Sequence, residues 1–219
     1  MAKNYLISIL KFVFLIVISF NTNYSFAQSS LTIVTDYDYS LWNLAISNPT
    51  YFLDWTATGP GINITETGTN TPTFDFSPNN LFGDITIEGT GSVSDFAGIT
   101  YLKADNGVGL RIKSIDVSEL PNLERLDIDD NTIVNLDLSN NPNLVELNVN
   151  RNDLVSIDLS TNPNLVELYI DANTDLTVLD ISANTNLEII QASSLILISD
   201  IDISNNTQLI DIDFSNVPL

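Results

Sequence analysis

The chain has 219 residues, no His, no Cys, and 28 acidic side chains against seven basic ones, for a net charge of −21. Without His or Cys there can be no Ser-His-Asp triad, no Cys-His pair and no thiolate zinc site. The acid excess also argues against nucleic acid and anionic membrane surfaces, both of which call for a basic face.

Residues 1–27 combine Lys3 and Lys11 with the apolar run Phe12 to Phe20 and end in Ser25-Phe26-Ala27, a small-x-small cleavage pattern. This predicts a secretory signal peptide removed near Ala27, too short in its apolar run to span a bilayer comfortably. No second stretch of spanning length follows, so the mature chain is expected to be secreted or held at the cell surface without inserting into a membrane. Removal of the signal leaves five basic residues against 28 acidic ones.

Residues 28–98 do not repeat. They are rich in Thr, Asn, Gly and Pro, with short alternating pieces such as Leu31-Thr32-Ile33-Val34, Ile62-Asn63-Ile64, Phe74-Asp75-Phe76 and Ile85-Thr86-Ile87, which suit half-buried strands. A β-rich N-terminal cap is predicted, with Trp42, Phe52 and Trp55 as its cover. The rival reading of the same aromatics is a sugar-binding module.

From residue 99 to 219 the chain repeats. Three lines show it best: LERLDIDDNTIVNLDLSNNPN, LVELNVNRNDLVSIDLSTNPN and LVELYIDANTDLTVLDISANTN, each opening with L-x-x-L-x-[IV]-x-x-N. Each line also halves, because the leading apolar positions Leu123, Ile133, Leu144, Leu154, Leu165, Leu176, Leu187, Ile198 and Leu209 are ten or eleven residues apart. A lone coil cannot fold, since its few apolar side chains do not offset the ordering of some twenty residues at about 1.5 kcal/mol each. Stacked coils bury those side chains against one another.

Two Asn columns accompany the apolar ladder: Asn131, Asn152 and Asn173 in one half, Asn141, Asn162, Asn184 and Asn206 in the other. Inward amides of this kind can give and accept bonds to buried turn backbone, and can also bond each other. The first coil is degenerate, with Gly107 and Leu120 in the Asn slots. The fourth line, LEIIQASSLILISDIDISNNTQ, places Ala192 for a strand Leu and Leu195 for an Asn, and is expected to be the least regular.

The alternating LxxLxVxxN and LDLSxNPN halves resemble the nested repeats of bacterial internalin-like leucine-rich-repeat proteins of the cell surface, over residues 99–219. The resemblance implies a right-handed solenoid used for adhesion or protein recognition. The expected fold is an all-β-dominated leucine-rich solenoid with short parallel strands on two sides of each coil, a β-rich N-terminal cap and no long helices in the mature chain.

The two sides differ in character. In the second half-repeat the outward position is always Asp, at 116, 137, 158, 180 and 202, followed two residues later by Ser. In the first half it varies: Tyr101, Arg125, Glu146, Glu167, Ile189 and Asp211 in one row, Lys103, Asp127, Asn148, Tyr169, Gln191 and Asp213 in the next. A specific partner needs a non-uniform surface with aromatic and Arg anchors. Tyr101, Lys103, Arg125, Glu146, Arg151, Glu167 and Tyr169 are therefore the candidate ligand-binding residues, for an extracellular protein or glycan.

The Asp column raises a different question. A hard cation such as Ca²⁺ would relieve repulsion among stacked carboxylates, which makes Asp137, Asp158 and Asp180 the weak metal candidates, yet no EF-hand or calcium-binding nonapeptide motif occurs. No catalytic residue and no obligatory cofactor is expected. The alternative readings are a parallel β-helix enzyme acting on extracellular polysaccharide and a structural spacer in a larger surface protein. The last line, LIDIDFSNVPL, ends the sequence in half a coil, and the exposed edge this leaves predicts a fragment of a longer protein or self-association through an uncapped C-terminal edge.

Overall fold

The structure, a computed structural model, describes residues 28–35, 41–43, 45–47, 53–59, 62–69, 73–75, 85–92, 99–104 and 111–219. The expected signal peptide, residues 1–27, lies outside the described residues, as do Phe52 and Gly107. Of Trp42 and Trp55 the structure describes the backbone, in strands Leu41–Asn43 and Leu53–Gly59.

Seven strands precede the repeats: β1 (Gln28–Thr35), β2 (Leu41–Asn43), β3 (Ala45–Ser47), β4 (Leu53–Gly59), β5 (Ile62–Thr69), β6 (Thr73–Asp75) and β7 (Ile85–Ser92). The repeats then supply β8 (Tyr101–Lys103), β9 (Ile112–Asp116), β10 (Arg125–Asp127), β11 (Glu146–Asn148), β12 (Glu167–Tyr169), β13 (Ile189–Gln191) and β14 (Asp211–Asp213).

The repeat strands stack in parallel, in the order β14-β13-β12-β11-β10-β8, and β3 closes the far end by pairing antiparallel with β8. The register puts Leu102, Leu126, Leu147, Leu168, Ile190 and Ile212 side by side, and all but the last are buried. Together with Leu123, Leu144, Leu165, Leu187 and their partners from the second half-repeat they form one continuous apolar core. The N-terminal strands form a second, antiparallel sheet, β5-β4-β7-β1-β9, in which β9 of the first coil takes the edge beside β1.

The parallel solenoid is as expected, but the short strands line one side of the coils. From Ile133 onward the second side carries turns instead. Each outward Asp accepts the backbone N–H of the Ser two residues on, as Ser139 N to Asp137 Oδ1 at 2.9 Å and Ser160 N to Asp158 Oδ1 at 2.9 Å, and the same bond follows strand β9, from Ser118 N to Asp116 Oδ1 at 3.0 Å. The Asn-Pro-Asn-Leu segments then turn sharply, Leu144 N donating to Asn141 O at 3.2 Å and Leu165 N to Asn162 O at 3.2 Å, with Pro142 and Pro163 in the position whose φ proline presets. In the first coil this side is a real strand because β1 is there to pair with it.

Both Asn columns are buried, and their amides bond backbone groups rather than each other. In the first column Asn152 Nδ2 donates to Ile128 O and Val149 O at 3.0 and 3.1 Å, and its Oδ1 accepts Ile133 N at 3.0 Å. In the second column Asn162 Nδ2 donates to Leu138 O and Asn141 O of the coil before, at 3.2 and 2.9 Å. The Oδ1 atoms of Asn141, Asn162, Asn184 and Asn206 accept no protein hydrogen bond. The two columns therefore do different jobs: one closes a turn across coils, the other only ties a coil to its predecessor.

The fourth coil is not irregular. β13 pairs on both sides, and Ala192 and Leu195 are fully buried.

Candidate functional site

The strand register assembles two rows across the parallel sheet. Tyr101, Arg125, Glu146, Glu167, Ile189 and Asp211 stand in one, and Lys103, Asp127, Asn148, Tyr169, Gln191 and Asp213 in the other. In each strand the central residue points into the core, so the residues on either side of it face out, as the two-residue period of a strand requires. Six of the seven candidate ligand-binding residues thus share one face.

Their side chains are held by neighbours one coil away. Arg125 places its guanidinium 5.1 Å from the centroid of the Tyr101 ring, a cation–π contact, and on its other side bonds Glu146 twice, Nε to Oε2 at 2.7 Å and Nη2 to Oε1 at 3.2 Å. Lys103 Nζ reaches Asp127 Oδ2 at 2.9 Å, and Asn148 Nδ2 donates to the other oxygen of the same carboxylate at 3.0 Å. Tyr169 donates its hydroxyl to Glu167 Oε2 at 2.8 Å.

Electrostatics follow this geometry. The bond to Glu167, with burial and the charge of Glu167 adding to it, pushes the Tyr169 hydroxyl up to about 12. Burial, then the Asp127 carboxylate, raises that of Tyr101. The hydrogen bonds to Glu146 raise Arg125, so that it stays charged under all ordinary conditions.

Arg151 lies apart from the two rows. It occupies the turn after β11, in left-handed backbone with φ of 51°, a position that recurs once per coil at Asp130, Ala172, Ser194 and Asn216. From there its guanidinium bonds Asp129 Oδ2 at 2.6 Å. Beside it runs an amide ladder the repeat pattern alone did not reveal: Asn150 Oδ1 accepts Asp171 N at 2.6 Å, and Asp171 Oδ1 accepts Ser193 N at 2.6 Å. Its sequence trace is a short polar residue two places after the strand, at 150, 171 and 193.

The opposite side is chemically monotonous. Hydrogen bonds from the side chain and then the backbone of the following Ser pull Asp137, Asp158, Asp180 and Asp202 below the usual carboxylate range. The three weak metal candidates, Asp137, Asp158 and Asp180, are thus turn-forming residues, one oxygen each already bonded. Among the described residues no group of three or more Asp, Glu, His or Cys is placed to hold a metal ion, and no helix is long and apolar enough to cross a membrane.

No family model matches the sequence, nor does any curated protein. Solved structures do. The functional domain of InlJ from Listeria monocytogenes, which includes a cysteine ladder, is 26% identical over 58% of this chain and 38% of its own, with a TM-score of 0.43. The chain is similar to internalins. Internalin C2 of the same organism is 23% identical over 58% of this chain and 76% of its own (TM-score 0.35), and the internalin InlF 24% identical over 55% and 42% (TM-score 0.38). The chain thus spans less than half the length of two of these three internalin structures. This chain has no cysteine.

Proposed function

We propose that this chain is a secreted or cell-surface recognition module that binds an extracellular protein or glycan through the outward face of the sheet β8 to β14. The observation that carries the reading is the holding of Arg125 and Tyr169: one is clamped between Tyr101 and Glu146, the other is tied by its hydroxyl to Glu167. Exposed ion pairs of this sort add little stability. What they do is fix aromatic and guanidinium groups in place before a partner arrives, which lowers the entropy cost of binding. The Asp-Ser side offers the same group in every coil and so no basis for choosing among partners.

Within the face, Tyr169 is the open aromatic, since one side of the Tyr101 ring is covered by Arg125. Lys103, Arg125 and Arg151 each hold a carboxylate, so their role is directional bonding rather than capture of a polyanion. The test is a hydrogen-exchange footprint of the complex with whatever partner a glycan array or a panel of extracellular proteins returns. Slowed exchange across residues 125–127, 146–148 and 167–169, with residues 137–141 unaffected, supports the reading. Slowed exchange confined to the Asp-Ser side overturns it. Export is tested separately: protein recovered from culture supernatant should begin near Gln28.

A further inference from the structure

Strand β12 lies inside the sheet, paired to β11 on one side and to β13 on the other. Glu167 and Tyr169 stand on its outer face, on either side of buried Leu168, and the Tyr169 hydroxyl donates to Glu167 Oε2 at 2.8 Å. That bond lays the phenol back along its own strand. It leaves the second carboxylate oxygen, Oε1, without a donor among the described residues. Arg125, two strands away in the same row, gives its bonds to Glu146, and over residues 152–206 the chain has no Lys or Arg.

The same face already holds a cation with the same two parts. Tyr101 and Glu146 take the Arg125 guanidinium between them, 5.1 Å from the ring centroid and 2.7 and 3.2 Å from the carboxylate oxygens. An electron-rich ring face and a carboxylate act there on one cation, and a planar guanidinium suits both. Tyr169 and Glu167 repeat the ring and the carboxylate, and among the described residues no cation stands over the Tyr169 ring. The electrostatics agree. The bond to Glu167, burial and the charges of Glu167, Glu146 and Asp211 all raise the Tyr169 hydroxyl with no cation against them, whereas at Tyr101, raised by burial and Asp127, Lys103 and Arg125 pull the other way. In register beside the pair stand Ile189, next to Glu167, and Gln191, next to Tyr169, both half-buried.

We propose that Tyr169 and Glu167 seat an arginine side chain of the partner, its guanidinium over the Tyr169 ring and bonded to Glu167 Oε1, its apolar stem along Ile189. The proposal rests on the reading of this face as the recognition surface and narrows the partner from a protein or glycan to a protein with an exposed arginine. A neutral glycan brings no charge to answer Glu167, and an acidic one is repelled by it.

The experiment uses the whole protein and three small probes at matched ionic strength: N-acetyl-arginine amide, its uncharged isostere N-acetyl-citrulline amide, and N-acetyl-lysine amide, which carries the charge without the plane. The readout is the NMR signal of the Tyr169 ring, identified by its change in Tyr169→Phe. The arginine probe should shift this signal saturably, the lysine probe should bind more weakly, and the citrulline probe should leave the signal in place. Glu167→Gln keeps an acceptor for the Tyr169 hydroxyl, so it should keep its circular dichroism, yet it should weaken the arginine probe about tenfold, as loss of a bond to a charged group does. No response to arginine, an equal response to citrulline or lysine, or undiminished binding in Glu167→Gln overturns the proposal. Any of these together with a partner footprint on the sheet face removes the arginine seat and leaves the face reading standing. A footprint confined to the Asp-Ser side removes both.

Discussion

Leu195 occupies the slot that Asn173 fills one coil earlier, and the coil between them is longer by one residue. Where the slot holds Asn, the apolar residue of the preceding coil uses it, as Leu154 N donates to Asn173 Oδ1 at 3.2 Å. Leu176 has no amide oxygen ahead of it, and its N–H donates to Asn173 O in its own turn at 3.1 Å, the closure that the extra residue between Asn173 and Leu176 allows. Ile198 N does the same with Leu195 O at 3.3 Å. Loss of the Asn and gain of a residue thus compensate, which is why a coil that breaks the pattern stacks as regularly as the others.

A substitution that restores the repeat pattern should therefore fail to help. Leu195→Asn removes a fully buried apolar side chain and adds an Oδ1 whose usual donor, Leu176 N, is already bonded. A loss of about 1–3 kcal/mol is expected, read from the denaturation midpoint. A rise in the midpoint would show that the turn is not self-sufficient.

Asn152→Ala should cost about 1–3 kcal/mol, because Ile133 N, Ile128 O and Val149 O lose a buried partner at once. Asn143→Ala is the comparison, since Asn143 bonds Pro121 O in the open. The two variants should differ clearly in urea midpoint; equal midpoints would remove the structural role of the column.

The Asp-Ser turns give stability a definite pH dependence. Their carboxylates titrate lower when folded than when unfolded, so their contribution is present above the ordinary Asp value of about 3.9 and is lost as pH falls through the folded values. The melting temperature should fall as the solution is acidified through that window. Replacing Ser160 by Ala should move the Asp158 carboxyl back toward its ordinary value in a carbon-detected NMR titration, and no movement would mean that the Ser does not hold it.

Tyr169 supplies an alkaline counterpart. Its folded value, about 12, exceeds the unfolded one of about 10, so its contribution is complete below the unfolded value and disappears as pH rises through the folded one. In a tyrosinate absorbance titration, Glu167→Gln should bring this ionisation down, with Tyr169→Phe identifying the signal. An unaltered titration would break the link between Tyr169 and Glu167.

The long-range order of the fold was legible because it is written as a period. Leu126, Leu147 and Leu168 recur at a fixed interval, and so do the outward pairs that flank them, hence both the register and the shared face of Arg125, Glu146 and Tyr169 could be read without coordinates. Features outside that period were not legible. The sequence Leu-Asp-Leu alternates as a strand does, but that side is a strand only in the first coil, where β1 pairs with it, and carries turns from Ile133 onward. Nor does a pattern of types say that Arg125 lies over Tyr101, or that Arg151 sits in left-handed backbone beyond the sheet, since both depend on angles a period does not encode.

The central claim is that recognition belongs to the sheet face and to Tyr169 and Arg125 within it. The direct measurement is the affinity of a partner, found by screening the unaltered protein, for Tyr169→Ala, Arg125→Ala and Asp158→Asn. Either of the first two should weaken binding about tenfold or more, as loss of a central aromatic or Arg anchor does, with little change in melting temperature, and Asp158→Asn should bind as the parent does. Full affinity in Tyr169→Ala and Arg125→Ala together with loss in Asp158→Asn would contradict the account and place the site on the Asp-Ser side.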